Sequence, residues 1–281
     1  MTTASTTARK RPRNKKQKTK PSYWWVLFLP SLFLIPFYYG KVYSKIFSAY
    51  YRLSGPASSP EYPHYDSFNI RIPRGYQVHG IDVSRYQGRI DWDRVSKMKD
   101  SDVKIHFSLI KATEGILWAD PTFQRNWQES ANAGIIRGAY HYFNPYKSGY
   151  WQARFFLQTV NFGNGDILPI VDIEERGSQP RQKFQQNLSL FLNEIEKKLG
   201  VKPIIYTGYK FYEDYLSGDF NSYPLWVAHY NRPKLKAFSG DVNWSFWQHS
   251  DKGRIDGIRH KVDMNVFNGS LKDLEQLRIQ N

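Results

Sequence analysis

Apolar residues in this chain gather into short runs that end in polar or aromatic positions, and eight such runs follow one another between residues 79 and 267. Residues 79–84, 103–111, 135–143, 167–175, 203–206, 225–230, 244–248 and 262–267 are rich in β-branched and aromatic side chains, which predicts strands. Between the earlier runs the period changes. Residues 120–133 open with Asp120-Pro121, a cap followed by a first-turn proline. Residues 149–162 carry Trp151, Phe155, Phe156 and Val160 at helical spacing. Residues 180–199 place Phe184, Leu188, Phe191, Ile195 and Leu199 on one apolar face before Gly200 stops the helix. Strands alternating with helices predict a mainly parallel sheet, and this many strands in so short a span predict a barrel. Helical patterns thin out after residue 216, so the last strands are expected to be joined by loops and short turns. The expected fold class is α/β, a TIM-like incomplete (β/α) barrel with about eight strands and fewer helices. In such barrels the chemistry sits at the C-terminal strand ends, where Asp82, Lys111, Tyr142, Glu174 and Tyr206 fall.

The run Ile167-Leu168-Pro169-Ile170-Val171-Asp172-Ile173-Glu174-Glu175 delivers two carboxylates to one place. Side chains alternate along a strand, so Leu168, Ile170, Asp172 and Glu174 share one face while Val171 and Ile173 share the other. Asp172 and Glu174 are then roughly 6–7 Å apart at their Cα atoms. Burial and like charge both disfavour ionising such a pair, a cost that makes sense if one acid holds a proton for chemistry. The plain alternative is a solvated turn after a strand.

The N-terminus has a different pattern. Residues 9–20 hold eight Lys or Arg and no acid, and the stretch from Tyr23 to Tyr39 carries no charge. Aromatic residues at both edges read as interfacial anchors, and the basic block would stay cytoplasmic. The expected organisation is a basic tail over residues 1–22, a single transmembrane signal anchor over 23–40, a juxtamembrane helix and Pro/Ser/Gly-rich linker over 41–75, and a barrel over 76–281. That makes the lipid bilayer a partner and places the barrel on the periplasmic or extracellular side. A cleaved signal peptide is the competing reading. The net charge of +15 owes eight to the first 20 residues, which leaves +7 for the rest. Such a balance suits an anionic polymer outside the cell, and the topology argues against nucleic acid.

Several of these segments, taken together, resemble the glycoside hydrolase family 25 lysozymes, the Chalaropsis-type muramidases. The likeness spans residues 78–275 and rests on pieces in the family's order. These are Gly80-Ile81-Asp82-Val83-Ser84 with Tyr86-Gln87-Gly88, Ile110-Lys111-Ala112-Thr113-Glu114-Gly115, Gly138-Ala139-Tyr140-His141-Tyr142 and Val171-Asp172-Ile173-Glu174. They continue with Ile205-Tyr206-Thr207-Gly208, Leu225-Trp226-Val227-Ala228, Trp247-Gln248 and Val262-Asp263-Met264-Asn265. Arg85 departs from the pattern, which has His, Asn or a similar residue there. The resemblance implies hydrolysis of the β-1,4 bond between N-acetylmuramic acid and N-acetylglucosamine in peptidoglycan.

Glycoside hydrolysis needs a protonated carboxylic acid and usually a second carboxylate. Glu174, furthest along its strand, suits the proton donor. Asp172 would attack, activate water, or orient a substrate acetamido group, and the resemblance favours the last. Asp82 and Asp263 carry over from the family as further acids on the pocket floor. Tyr140, Tyr142, Tyr206, Trp226 and Trp247 offer rings for sugar stacking, with Tyr142, Tyr206 and Trp226 the expected pocket residues. Lys111 would pair with an acid, and Gln248 would add a polar contact. No cysteine, no close-set histidine ligands and no phosphate-binding glycine pattern is present, so neither a metal nor another cofactor is expected, and protein partners stay unspecified. The rival readings are a catalytically silent peptidoglycan-binding barrel and a chitinase-like glycosidase.

Overall fold

Each of the eight apolar runs forms a strand in the computed structural model, which describes residues 60–235, 242 and 244–280. In chain order they are β1 (Val78–Val83), β2 (Val103–Glu114), β3 (Ile136–Tyr142), β4 (Ile170–Ile173), β5 (Ile204–Gly208), β6 (Leu225–Ala228), β7 (Trp244–Gly253) and β8 (Val262–Phe267). Neighbours in sequence are neighbours in space, and pairing of β1 with both β2 and β8 closes the ring. The pairs from β1–β2 to β6–β7 are parallel, whereas β8 runs antiparallel to β7 and to β1. The β7–β8 connection is residues 254–261, too short for the crossover that a parallel return requires.

Helices α1 (Trp92–Lys97), α2 (Phe123–Asn132), α3 (Gly149–Thr159) and α4 (Arg181–Leu199) follow the first four strands, and among the described residues the helices after β5 are single short turns such as Tyr212–Leu216 and Leu271–Leu274. Outward-facing Ile110, Ala139, Val171, Ile173 and Ile205 join Phe123, Trp127, Phe156, Phe184, Leu188 and Phe191 from the helices in one core. On α3 the buried face is Gln152, Ala153, Phe156 and Val160, while Trp151 lies exposed beside Tyr150. Inside the ring, Val78, Phe107, Leu109, Ile170, Ile204, Phe246 and Phe267 form a second apolar cluster. Phe107 and Phe246 meet edge to face at 5.2 Å. Gly80 makes room for them: a Cβ there would lie 2.4 Å from the Phe107 ring.

Two expectations are corrected. Residues 62–72, read as linker, instead build into the fold. His64–Tyr65 pairs antiparallel with Ile70–Arg71, Tyr62, Phe68, Ile70 and Ile72 are buried, and Phe68 O accepts from Arg254 N at 2.8 Å. An aromatic or aliphatic side chain every few residues outweighs the turn-rich composition. The second correction concerns the transmembrane helix. Residues 1–22 and 23–40 lie outside the described residues, and among the described residues no helix is long and apolar enough to cross a membrane. The longest, α4, exposes a charged face and buries the other, as a barrel cover does. The fold is therefore taken as the closed eight-strand barrel alone, and the single-pass placement and the bilayer as partner are withdrawn.

Candidate active site

At the C-terminal mouth the interior turns from apolar to acidic. Asp82 near the end of β1 stands opposite Asp263 on β8 in the ladder, so the two side chains share the inner face. Asp172 on β4 is in register with Tyr142 on β3 and Tyr206 on β5, which turns those three inward together. Glu174 lies just past the end of β4. Asp172 is buried and Glu174 is exposed, so the burial expected for both acids falls on the first.

A hydrogen-bond network holds Asp82. Its Oδ2 accepts from Gln248 Nε2 at 2.8 Å and from Asn265 Nδ2 at 2.7 Å. Gln248 is aimed by the hydroxyls of Tyr206 and Tyr230, which donate to its Oε1 at 2.7 and 2.6 Å. Asn265 is aimed by Trp226 Nε1, which donates to its Oδ1 at 2.8 Å. Burial pushes Asp82 up to about 6, offset in part by the bonds from Asn265, Gln248 and Asp263. Asp263 is driven well above the carboxylate range by burial and by the charge of Asp82, and their mutual hydrogen bond keeps the proton on Asp263.

Asp172 is raised well above the ordinary value, first by burial and then by the Glu174 charge, with Lys111 opposing. Its Oδ1 is buried without a hydrogen-bond partner. That is costly in a native interior, and it leaves a strong acceptor unsatisfied on the strand that lines the mouth. Lys111 Nζ pairs with Glu114 Oε2 at 2.7 Å and sits 4.6 Å from the Tyr142 ring centroid. Tyr142 is pushed well up by burial and by the nearby carboxylates, so its hydroxyl stays protonated.

The mouth thus brings together Asp82, Asp172, Asp263, Tyr142, Tyr206, Lys111 and Gln248, with Glu174 at the rim of the same strand. Trp226 stands behind them. It is 1% exposed, packs its ring 4.2 Å from Tyr206 and 6.2 Å from Tyr140, and offers no open face. Trp247 faces outward with its Nε1 on His229 O, on the opposite side of β7 from Gln248. Two members were missed from sequence, Asn265 and Tyr230. Asn265 could have been found by the alternation that finds Glu174, since it lies two positions after Asp263 on the inner face. Tyr230 lies beyond the end of β6, where alternation gives no guide. Among the described residues no group of three or more His, Cys, Asp or Glu is placed to hold a metal ion.

Known proteins resemble this chain in sequence and fold. The chain is 52% identical over 209 residues to the YegX protein of Escherichia coli (strain K12), covering 74% of this chain and 76% of that protein. It is 35% identical over 207 residues to Lysozyme M1 of Streptomyces globisporus, covering 69% and 68%. The crystal structure of the bacterial lysozyme from Streptomyces coelicolor superposes with a TM-score of 0.65 at 33% identity, over 72% of this chain and 97% of that one. The family description "Glycosyl hydrolases family 25" matches residues 81–258, a span that contains Asp82, Asp172 and Glu174. The chain belongs to glycosyl hydrolases family 25 and is a glycoside hydrolase.

Proposed function

We propose that this enzyme is a peptidoglycan muramidase that cleaves the β-1,4 bond between N-acetylmuramic acid and N-acetylglucosamine, with Glu174 as general acid and Asp172 as the residue that orients the substrate acetamido group. The observation that carries the reading is the unpartnered Oδ1 of buried Asp172. A substrate that brings an N–H to that oxygen satisfies it and turns a folding penalty into binding and alignment. An acetamido group is such a donor. Its carbonyl oxygen then faces the anomeric carbon, attacks it as the glycosidic bond breaks, and Glu174 gives its proton to the leaving oxygen. Glu174, now a carboxylate, takes a proton from the water that reopens the ring intermediate. A charge on Asp172 is costly in its buried setting, and the positive charge that develops on the acetamido nitrogen offsets it.

Asp82 and Asp263, sharing one proton, hold a single negative charge on the floor and keep Gln248 and Asn265 fixed. Tyr142 and Tyr206 form the wall between the strand of Asp172 and its neighbours, where a sugar ring would lie. The names of Lysozyme M1 and of the Streptomyces coelicolor lysozyme support the same substrate class. The test is mass spectrometry of soluble products from purified cell walls. Fragments with a reducing-end muramic acid are expected. Reducing-end glucosamine, cleavage of chitin in place of wall, or no release at all would overturn the reading.

A further inference from the structure

The rim beside Lys111 carries a cation that the chemistry above does not use. Arg85 follows β1, and its backbone N–H donates to Asp120 Oδ2 at 2.9 Å. The other oxygen of that buried carboxylate accepts from Thr122 N at 2.8 Å and from Thr122 Oγ1 at 2.7 Å. The loop after β1 is thereby fastened to the turn before α2, and the root of Arg85 is fixed. Its guanidinium lies 5.2 Å from the Tyr86 ring centroid and 5.0 Å from that of Trp118. Trp118 is itself anchored by pairing of Trp118–Ala119 with Thr113 and Glu114 at the end of β2. The same indole lies 5.3 Å from Lys111 Nζ. Arg85, Trp118, Lys111 and Tyr142 therefore form a continuous line of alternating cations and rings that ends beside Asp172.

The two cations differ in what balances them. Lys111 has Glu114 at 2.7 Å, whereas no carboxylate among the described residues lies within ion-pair distance of Arg85. The Arg85 side chain bonds to Tyr86 and is attracted at longer range by Asp120 and Glu114, and a guanidinium has five N–H donors, so others remain for the fork that matches a carboxylate with two parallel hydrogen bonds. A neutral sugar has no use for a cation with no salt-bridge partner at this spot. A glycan strand bearing carboxylates does.

We propose that Arg85 is a specificity-determining residue that binds a carboxylate carried by the glycan strand on its muramic acid, either the lactyl carboxylate itself or a carboxylate of the peptide attached to it. This rests on the muramidase reading. The test measures kcat/KM of wild type, Arg85→Gln and Arg85→Lys on three soluble strands: with stem peptides intact, with peptides removed by an amidase to free the lactyl carboxylate, and with that carboxylate then capped as a methylamide. Arg85→Gln is expected to lose about tenfold on the anionic strand that Arg85 reads, and nothing on the capped one. Arg85→Lys is expected to recover part of that loss, since it restores the charge without the fork. A loss confined to the peptide-bearing strand assigns the peptide carboxylate, and a loss confined to the peptide-free strand assigns the lactyl one. Equal loss on all three strands, or no loss on any, overturns the proposal while leaving the muramidase reading intact. Absence of wild-type turnover on every strand overturns both.

Discussion

Strand β3 separates two buried polar groups of opposite character. Tyr140 and Tyr142 point inward to the acids of the mouth, while His141 between them points outward, under the helices. On the outer side both ring nitrogens of His141 are partnered. His141 Nδ1 pairs with Thr113 Oγ1 at 2.7 Å and its Nε2 with Gln152 Oε1 at 3.2 Å. Gln152 also accepts from Asn144 N and donates to Asn144 O and Lys147 O. Burial holds the imidazole neutral, down to about 3, and no charge is left to balance. On the inner side three carboxyls are crowded together, each raised, and one oxygen of Asp172 goes without a partner. Burial of polar groups is common to both sides and marks neither as a site. What distinguishes the mouth from the His141 side of β3 is crowded carboxyls, an electrostatic cost kept where a ligand can relieve it.

The difference can be broken most directly at Glu174. Glu174→Gln keeps size and removes the proton, so turnover on cell wall is expected to fall about 10²–10⁴-fold with an unchanged unfolding midpoint. Near wild-type turnover would remove the mouth from the chemistry. Gln152→Ala should do the reverse. It strips partners from His141 and from three backbone groups, so urea unfolding is expected to show a loss of about 2–4 kcal/mol, with turnover per folded molecule unchanged. A drop in that turnover would mean that the outer side is not merely structural.

A smaller effect sharpens the electrostatic side. The folded pKa of Asp82, about 6, lies above its ordinary 3.8, so the folded state favours the protonated acid. Its contribution is whole below pH 3.8 and is lost as pH rises through 6. Asp82→Asn cannot ionise, and it should match wild type in stability near pH 4 and exceed it near pH 7, by roughly a few degrees in Tm. His79 works in the opposite sense. Burial lowers it from 6.5 to about 4, so its contribution is whole above pH 6.5 and is lost as pH falls through 4. His79→Gln should therefore flatten the acid limb of a Tm profile between pH 6.5 and 4. An Asp82→Asn advantage that is equal at pH 4 and pH 7 would contradict the burial account.

The strands were legible because a barrel wall buries both faces, which leaves compact β-branched runs such as Val171 and Ile173 outside and Ile170 inside. Alternation within β4 also turned Asp172 inward, with Glu174 following just past the strand end. It could not say how deep each ring sits. Layer depth depends on the stagger between strands, which joins residues far apart in sequence. For that reason Trp226 read as a platform for sugar when it in fact backs Tyr206 and aims Asn265. The same blindness hid the hairpin at residues 64–71. Its side chains join a core built from distant segments, and its backbone bonds to that of Arg254. Nothing in the local pattern of Pro, Ser and Gly announces such a contact.

The seam between β1 and β8 has a consequence in time. Asn265 reaches back across 183 positions to hold Asp82, and Asp263 faces the same acid across that seam. During synthesis the first strand waits beside an open edge until β8, about 180 positions later, has emerged, and only then does the acid floor exist. A partly made chain carries Asp172 and Glu174 on their strand without the pair that sets their surroundings. Competence to cut is therefore expected to arrive in one late step, rather than growing as the chain lengthens.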